Sequence, residues 1–224
     1  MKNPKTKMWL QFVATFIPIA LALFLSAGTI DYWQAWVYFV VGILTSVPLV
    51  LYIAKDPILL ESRSKIGPTV EQRPFQKFIV WCLMIPVITM FILPGLDHRF
   101  GWSSVPLWLS IFGDILILFS MWMVYRVFRA NSFGSATVEV IKEQKVISTG
   151  PYAIVRNPMY TGASMYFIGM ALALGSFWAL IPAVLIMLGF VVRLFDEEKL
   201  LARDLVGYTE YQKKVTYHLV PFVW

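Results

Sequence analysis

Apolar positions along this chain fall in long blocks separated by short polar segments, and the blocks have the length of membrane-crossing helices. Six of them stand out, at about Met8 to Ala27, Trp33 to Ala54, Phe78 to Leu96, Val105 to Val127, Met159 to Leu174 and Phe177 to Val192. The last two are short and are joined by Gly175 and Ser176, which predicts a tight helical hairpin. The pattern predicts an all-α integral membrane protein, a multi-span helical bundle of about five or six transmembrane helices. A basic leader (Lys2, Lys5, Lys7) and the Ser26-Ala27-Gly28 sequence leave a cleaved signal peptide as an alternative for the first block. Its length and the spans that follow favour a retained helix.

Composition agrees with the pattern, with 58% hydrophobic and 14% charged residues. Orientation follows from the basic residues. With spans alternating from a cytoplasmic N-terminus, Lys2, Lys5, Lys7, Lys55, Arg63, Lys65, Arg73, Lys77, Arg126, Arg129, Lys142, Lys145, Arg156, Arg193, Lys199, Arg203, Lys213 and Lys214 fall inside, and Arg99 alone falls outside. The net charge of +6 is thereby explained by topology and anionic lipid rather than nucleic acid. Tyr32/Trp33, Trp102/Trp108 and Trp178 are placed in an outer aromatic belt. One cysteine, Cys82, and two histidines, His98 and His218, on opposite sides of the membrane, provide no metal-binding cluster.

Two cytoplasmic connections carry weaker signals. Lys55 to Lys77 has mixed charge and a Gly67-Pro68 break, which predicts a short amphipathic piece at the interface. Ala130 to Thr149 alternates polar and apolar residues and reads as an ordered connection. It leads into GPYAIVRNPMYTG, Gly150 to Gly162, where Gly150-Pro151 signals a turn. Asn157-Pro158 signals a helix start, with Asn able to cap the first amides and Pro suited to the first helical position. One hydrophobic hairpin later, Arg193 and Glu197 are four residues apart on a single helix face, with Glu198 beside them. Taken separately, these are a cap, a membrane anchor and a surface ion pair. If the hairpin folds back, they become two walls of one polar site.

The order GPYAIVRNPMYTG, hydrophobic hairpin, Arg193 with Glu197-Glu198, then Leu200, Tyr208, Tyr211, Val215 and Pro221-Phe222 resembles the isoprenylcysteine carboxyl methyltransferase family, itself similar to membrane phospholipid methyltransferases. The likeness covers about the last 100 residues; the N-terminal spans match only in being hydrophobic. It implies two parts, residues 1–104 as N-terminal spans for acceptor access or structure and 105–224 as the methyltransferase core. It also implies a cytoplasmic C-terminal helical site for S-adenosyl-L-methionine, held by Gln144, Lys145, Val146, Ile147, Tyr152, Asn157, Pro158, Met159, Tyr160, Glu197 and Glu198. Arg193 and Arg156 are the implied catalytic residues, Arg193 orienting the acceptor carboxylate. Asn157 departs from the family pattern, which most often has His there; Asn hydrogen-bonds but does not titrate near neutral pH.

The implied reaction is methyl transfer to a lipophilic acceptor, most readily a carboxylate of isoprenylcysteine type, already ionised at neutral pH. Such an enzyme has to hold both reactants in line and exclude water. Methylation of a phospholipid amine is the alternative. It requires a deprotonated amine, for which Arg193 is a poor neighbour. A non-enzymatic transporter or scaffold is the third reading, kept open by Asp114 near the middle of the fourth span. No internal repeat or pair of interrupted helices supports transport, and no GxGxxG loop supports a soluble nucleotide-binding fold.

Overall fold

The computed structural model describes residues 4–57, 59, 60, 71, 73–132 and 144–224. The amphipathic piece expected within Lys55 to Lys77, and most of the Ala130 to Thr149 connection, lie outside the described residues.

Among these residues the secondary structure is helical throughout: α1 (Pro4–Ala27), α2 (Trp33–Ile53), α3 (Pro74–Phe100), α4 (Leu107–Ala130), a 3-10 turn (Gly150–Ala153), α5 (Pro158–Ala173), α6 (Leu180–Asp204) and α7 (Tyr208–Lys214). Helices α1 to α4 are long and apolar enough to cross a membrane. Their outward side chains are apolar, as at Leu25, Leu44, Ile85 and Trp108, a surface that lipid rather than water accommodates. The two helices of the final hairpin are not among those that meet this length-and-composition criterion. Helix α5 has 16 residues, ~24 Å at the α-helical rise and short of a ~30 Å hydrocarbon core. Helix α6 has 25, the apolar block continuing without a break into the charged Arg193–Asp204 segment. Four helices therefore meet the spanning criterion.

Packing between α4 and α5 depends on small residues. A Cβ at Gly113 would stand 2.7 Å from the Gly169 carbonyl, and one at Gly169 would stand 2.8 Å from the Gly113 carbonyl. Only glycine permits that approach. Two turns further along, the Ser120 hydroxyl donates to the Gly162 carbonyl at 2.6 Å. The result is a rigid platform beneath the start of α5.

The far end of the hairpin is tied down by Asp97. Its carboxylate, 1% exposed, accepts from the Ser103 amide and hydroxyl, both at 2.6 Å, and from the Ser176 hydroxyl. Gly175 makes the turn with φ of 70°, a backbone region that favours glycine. Trp33, Trp102, Trp108 and Trp178 are exposed as a belt requires, but Tyr32 is fully buried. Its hydroxyl donates to the Leu174 carbonyl, because a buried phenol needs an acceptor. Asp114 is buried on α4, with its Oδ1 and the Ser110 hydroxyl one turn away both lacking hydrogen-bond partners among the described residues.

Candidate functional site

The hairpin returns α6 over the start of α5 and joins the two polar segments. Tyr160, in the first turn of α5, donates its hydroxyl to Glu197 Oε2 at 2.7 Å and receives Arg193 Nε–H at 3.1 Å. One phenol thus bridges the two residues that sequence spacing placed on one face of α6. The continuity of α6 through the membrane-proximal stretch makes this possible, since a break near Val192 would free the charged half to point elsewhere.

Glu197 and Glu198 are consecutive but face different surroundings, because successive helical residues are rotated by about 100°. Glu198 is 5% exposed. Its Oε1 accepts from Arg156 Nε at 3.0 Å and Asn157 Nδ2 at 2.6 Å and lies 3.2 Å from His218 Nδ1. Its Oε2 accepts from Gln212 at 3.5 Å. Arg156 in turn donates to the Val215 carbonyl and packs on His218, whose ring stacks on Trp224. Glu198 is therefore the centre of a buried cluster joining α6, the Val155–Pro158 strand-like entry and the C-terminal segment. The cluster is sealed by backbone bonds from the Arg156 and Asn157 amides to the Tyr217 and His218 carbonyls.

Asn157 sits at the N-cap position of α5, as expected, but its side chain makes no capping hydrogen bond. Its amide is turned to Glu198 instead. Holding Nδ2 on a buried carboxylate fixes the side chain, and its oxygen does not accept from the first amides of α5. The expected cap is thus replaced by a hydrogen bond to a carboxylate.

Glu197 is only partly buried. Its Oε1 has no hydrogen-bond partner among the described residues. Burial raises its carboxyl pKa above the usual range, opposed by the Tyr160 hydrogen bond and the Arg193 charge. Nearby, the Tyr208 hydroxyl is buried with no hydrogen-bond partner among the described residues. Burial, and then the Glu198 and Glu197 charges, push that phenol far above its ordinary value. An orphaned donor and an open carboxylate oxygen thus occupy one region.

Arg193 is 8% exposed, and its Nη2 lies 3.2 Å from Glu71 Oε2. Its guanidinium is thus engaged by Tyr160 on one edge and Glu71 on another. Arg73 pairs with Asp196 at 2.6 Å, and Gln76 donates to the same carboxylate. Through these contacts the start of α3 is locked against α6. The sequence reading did not identify Glu71, Arg73 or Asp196, nor the attachment of His218 to Arg156. The available signal was an acidic residue just before a Pro-initiated helix, and it is indistinguishable from ordinary loop charge.

The remaining sequence-derived residues lie around this centre. Val146 and Tyr152 pack against the small cluster of Leu205, Tyr208, Tyr211 and Val215. The Tyr211 hydroxyl donates to the Tyr152 carbonyl at 2.8 Å, which fixes the 3-10 turn against α7. Met159 faces away, into the Ile53, Leu59 and Phe128 cluster. Pro158 occupies the first turn of α5. Gln144, Lys145 and Ile147 lie in the extended segment around Val146. No group of three His, Cys, Asp or Glu residues able to hold a metal ion occurs among the described residues.

Comparison with known proteins places this site in context. Residues 108–205 match the family described as phospholipid methyltransferase. The chain is also similar to phosphatidylethanolamine N-methyltransferases of Saccharomyces cerevisiae, for example of strains YJM789 and S288c. Each is 26% identical over 113 residues, covering 49% of this chain. The matched segment spans only 13% of the length of these relatives. A methyltransferase likeness of the C-terminal half is thereby supported.

Proposed function

We propose that the protein is an integral membrane methyltransferase that uses S-adenosyl-L-methionine to methylate the amine of a phospholipid headgroup. The observation that carries the amine over the carboxylate is the engagement of Arg193. A guanidinium already bonded to Glu71 and Tyr160 inside the protein is poorly placed to clamp an acceptor carboxylate, and its charge is largely compensated. The objection that Arg193 disfavours an amine is correspondingly weakened. The names of the similar proteins point the same way.

The residues present suit the cofactor by their chemistry. S-adenosyl-L-methionine, when bound, supplies an electrophilic methyl group on a positively charged sulfonium. Glu197 Oε1 offers an acceptor for the ligand's amino or hydroxyl groups, and the Tyr208 hydroxyl offers a donor. The segment from Gln144 to Tyr152, with Val146 and Tyr152 packed on the Tyr208 cluster, forms the adjoining wall. Tyr160 and Arg193 hold Glu197 in one rotamer, which is the positioning that an in-line transfer requires.

For an amine acceptor the balance of the step is simple. A nitrogen–carbon bond forms as the sulfur–carbon bond breaks, and the ammonium proton must leave before attack. Glu197 is the group we assign to receive it or to relay it to water, since burial shifts its carboxyl toward the basic side. Arg156 and Glu198, bonded to each other, with Asn157 donating to the same carboxylate, are positioning residues that hold the α5 start against α6. Under this reading the site faces the cytosol, as the basic-residue count implies, and the acceptor arrives from the bilayer.

Thermal stabilisation of the detergent-solubilised protein by S-adenosyl-L-methionine tests the cofactor assignment. A saturable rise in melting temperature is expected, weakened at least tenfold in apparent affinity by Glu197→Gln. No stabilisation of folded wild-type protein would remove the proposal.

A further inference from the structure

Two hollows lie end to end along the lipid-facing side of α4. The first, about 210 Å³, is an apolar groove between α2 and α4 walled by Pro48, Leu49, Leu118, Trp122 and Tyr125 among others. Pro48 lies inside α2, where its missing N–H and its ring disturb the regular helix surface. The second, about 300 Å³, lies at the C-terminal end of α4 and is bounded by Arg126, Arg129, Thr149, Gly150 and Pro151. No carboxylate bounds it among the described residues.

The two hollows meet at aromatic rings. The Arg126 guanidinium sits 5.5 Å from the Trp122 ring and that of Arg129 sits 6.0 Å from the Tyr125 ring, so each cation is held over a residue that walls the apolar groove. Going along α4 the surface passes from aliphatic to aromatic to cationic. From Leu118 to Arg129 the rise is ~16 Å, about half of a ~30 Å hydrocarbon core and so one leaflet. A phospholipid presents the same succession: acyl chain, interfacial glycerol, phosphodiester.

The track also reaches residues that are next in sequence to candidate-site residues. Leu49 belongs to the cluster that receives Met159, next to Tyr160, and Gly150-Pro151 lead directly into Tyr152. We propose that this track seats the phospholipid acceptor, with an acyl chain in the α2–α4 groove and the phosphodiester on Arg126 and Arg129. The inference rests on the amine-methylation reading only in naming the occupant as the acceptor. Ordinary topological anchoring by two arginines would leave acceptor binding untouched, so the two roles are separable.

The test combines labelling with kinetics. Wild-type protein in detergent is irradiated with phosphatidylethanolamine bearing a diazirine in one acyl chain, and labelled peptides are mapped. Methyl transfer is measured with dioleoyl and with dihexanoyl phosphatidylethanolamine. Labels on α2 and α4 at the groove are expected. Arg126→Gln/Arg129→Gln should raise KM about tenfold for both lipids, the equivalent of one modest charge-assisted contact, with affinity for S-adenosyl-L-methionine unchanged. Leu118→Trp, which fills the groove, should raise KM for the dioleoyl lipid alone, and Lys77→Gln should change neither.

Labels elsewhere, or unchanged KM in both variants with cofactor affinity intact, would overturn the seat. Equal competition of phosphatidylglycerol for the label, with unchanged KM, would assign the track to a non-reacting lipid and also overturn it. If wild-type protein methylates neither lipid, the amine reading fails, while the labelling still decides whether the track holds a phospholipid.

Discussion

Replacing Glu198 with Ala isolates the part of the site that is architecture. The Glu198 and Arg156 side chains are 6% and 9% exposed and lie 3.0 Å apart. At an effective dielectric constant near 20, the Coulomb attraction at that distance is about 5 kcal/mol before desolvation is counted. The cost of removing one partner from a buried pair is about 3–5 kcal/mol, chiefly from the charge left stranded. Asn157 Nδ2 loses its acceptor as well. Equilibrium unfolding in mixed micelles should show Glu198→Ala destabilised by about 3–5 kcal/mol. Adding Arg156→Met, which removes the stranded cation, should recover roughly half of the loss. A Glu198→Ala protein within about 1 kcal/mol of wild type would show that the cluster contributes no more than a surface pair and that this reasoning is wrong.

The adjacent glutamate should behave in the opposite way. Burial raises the folded-state pKa of Glu197 above its unfolded value, so the native state binds the proton more tightly and its charged form costs stability once pH exceeds the unfolded pKa of about 4.3. Glu197→Gln should therefore match or exceed wild-type stability at neutral pH while abolishing transfer, measured by unfolding and by labelled-methyl assay. In the wild-type protein the acid limb of kcat/KM should lie above the ordinary glutamate range. Tyr160→Phe removes the hydroxyl shared by Arg193 and Glu197, and transfer should fall about 10–100-fold with a stability loss of about 1–2 kcal/mol, separable by the same two assays. Gly169→Leu should prevent the approach of α5 to α4 and cost more than the ~1–3 kcal/mol of ordinary overpacking, visible as loss of monodisperse protein on size-exclusion chromatography.

The closeness of Arg193 and Glu197 to the α5 start was legible before the structure, because helix spacing, the Asn157-Pro158 start and the two-residue joint between apolar blocks are local signals. What those residues touch was not. Glu71 comes from a connection some 120 positions away from Arg193 in the chain, and only the docking of α3 on α6 brings it in. Glu197 and Glu198 look equivalent in a row of letters, and their separation into an open carboxylate and a buried hub depends on the rotation of α6 against the C-terminal segment. His218 carries no neighbouring motif, yet the return of Tyr217 and His218 to the Arg156 and Asn157 amides places it on Arg156.

Purified protein is given methyl-labelled S-adenosyl-L-methionine together with equal amounts of dioleoyl phosphatidylethanolamine and a farnesylated cysteine carboxylate, and the products are separated before and after mild base. Base-stable label is expected on the phospholipid amine and is lost in Glu197→Gln. Base-labile label on the farnesyl cysteine, with the phospholipid unlabelled, would contradict the amine reading.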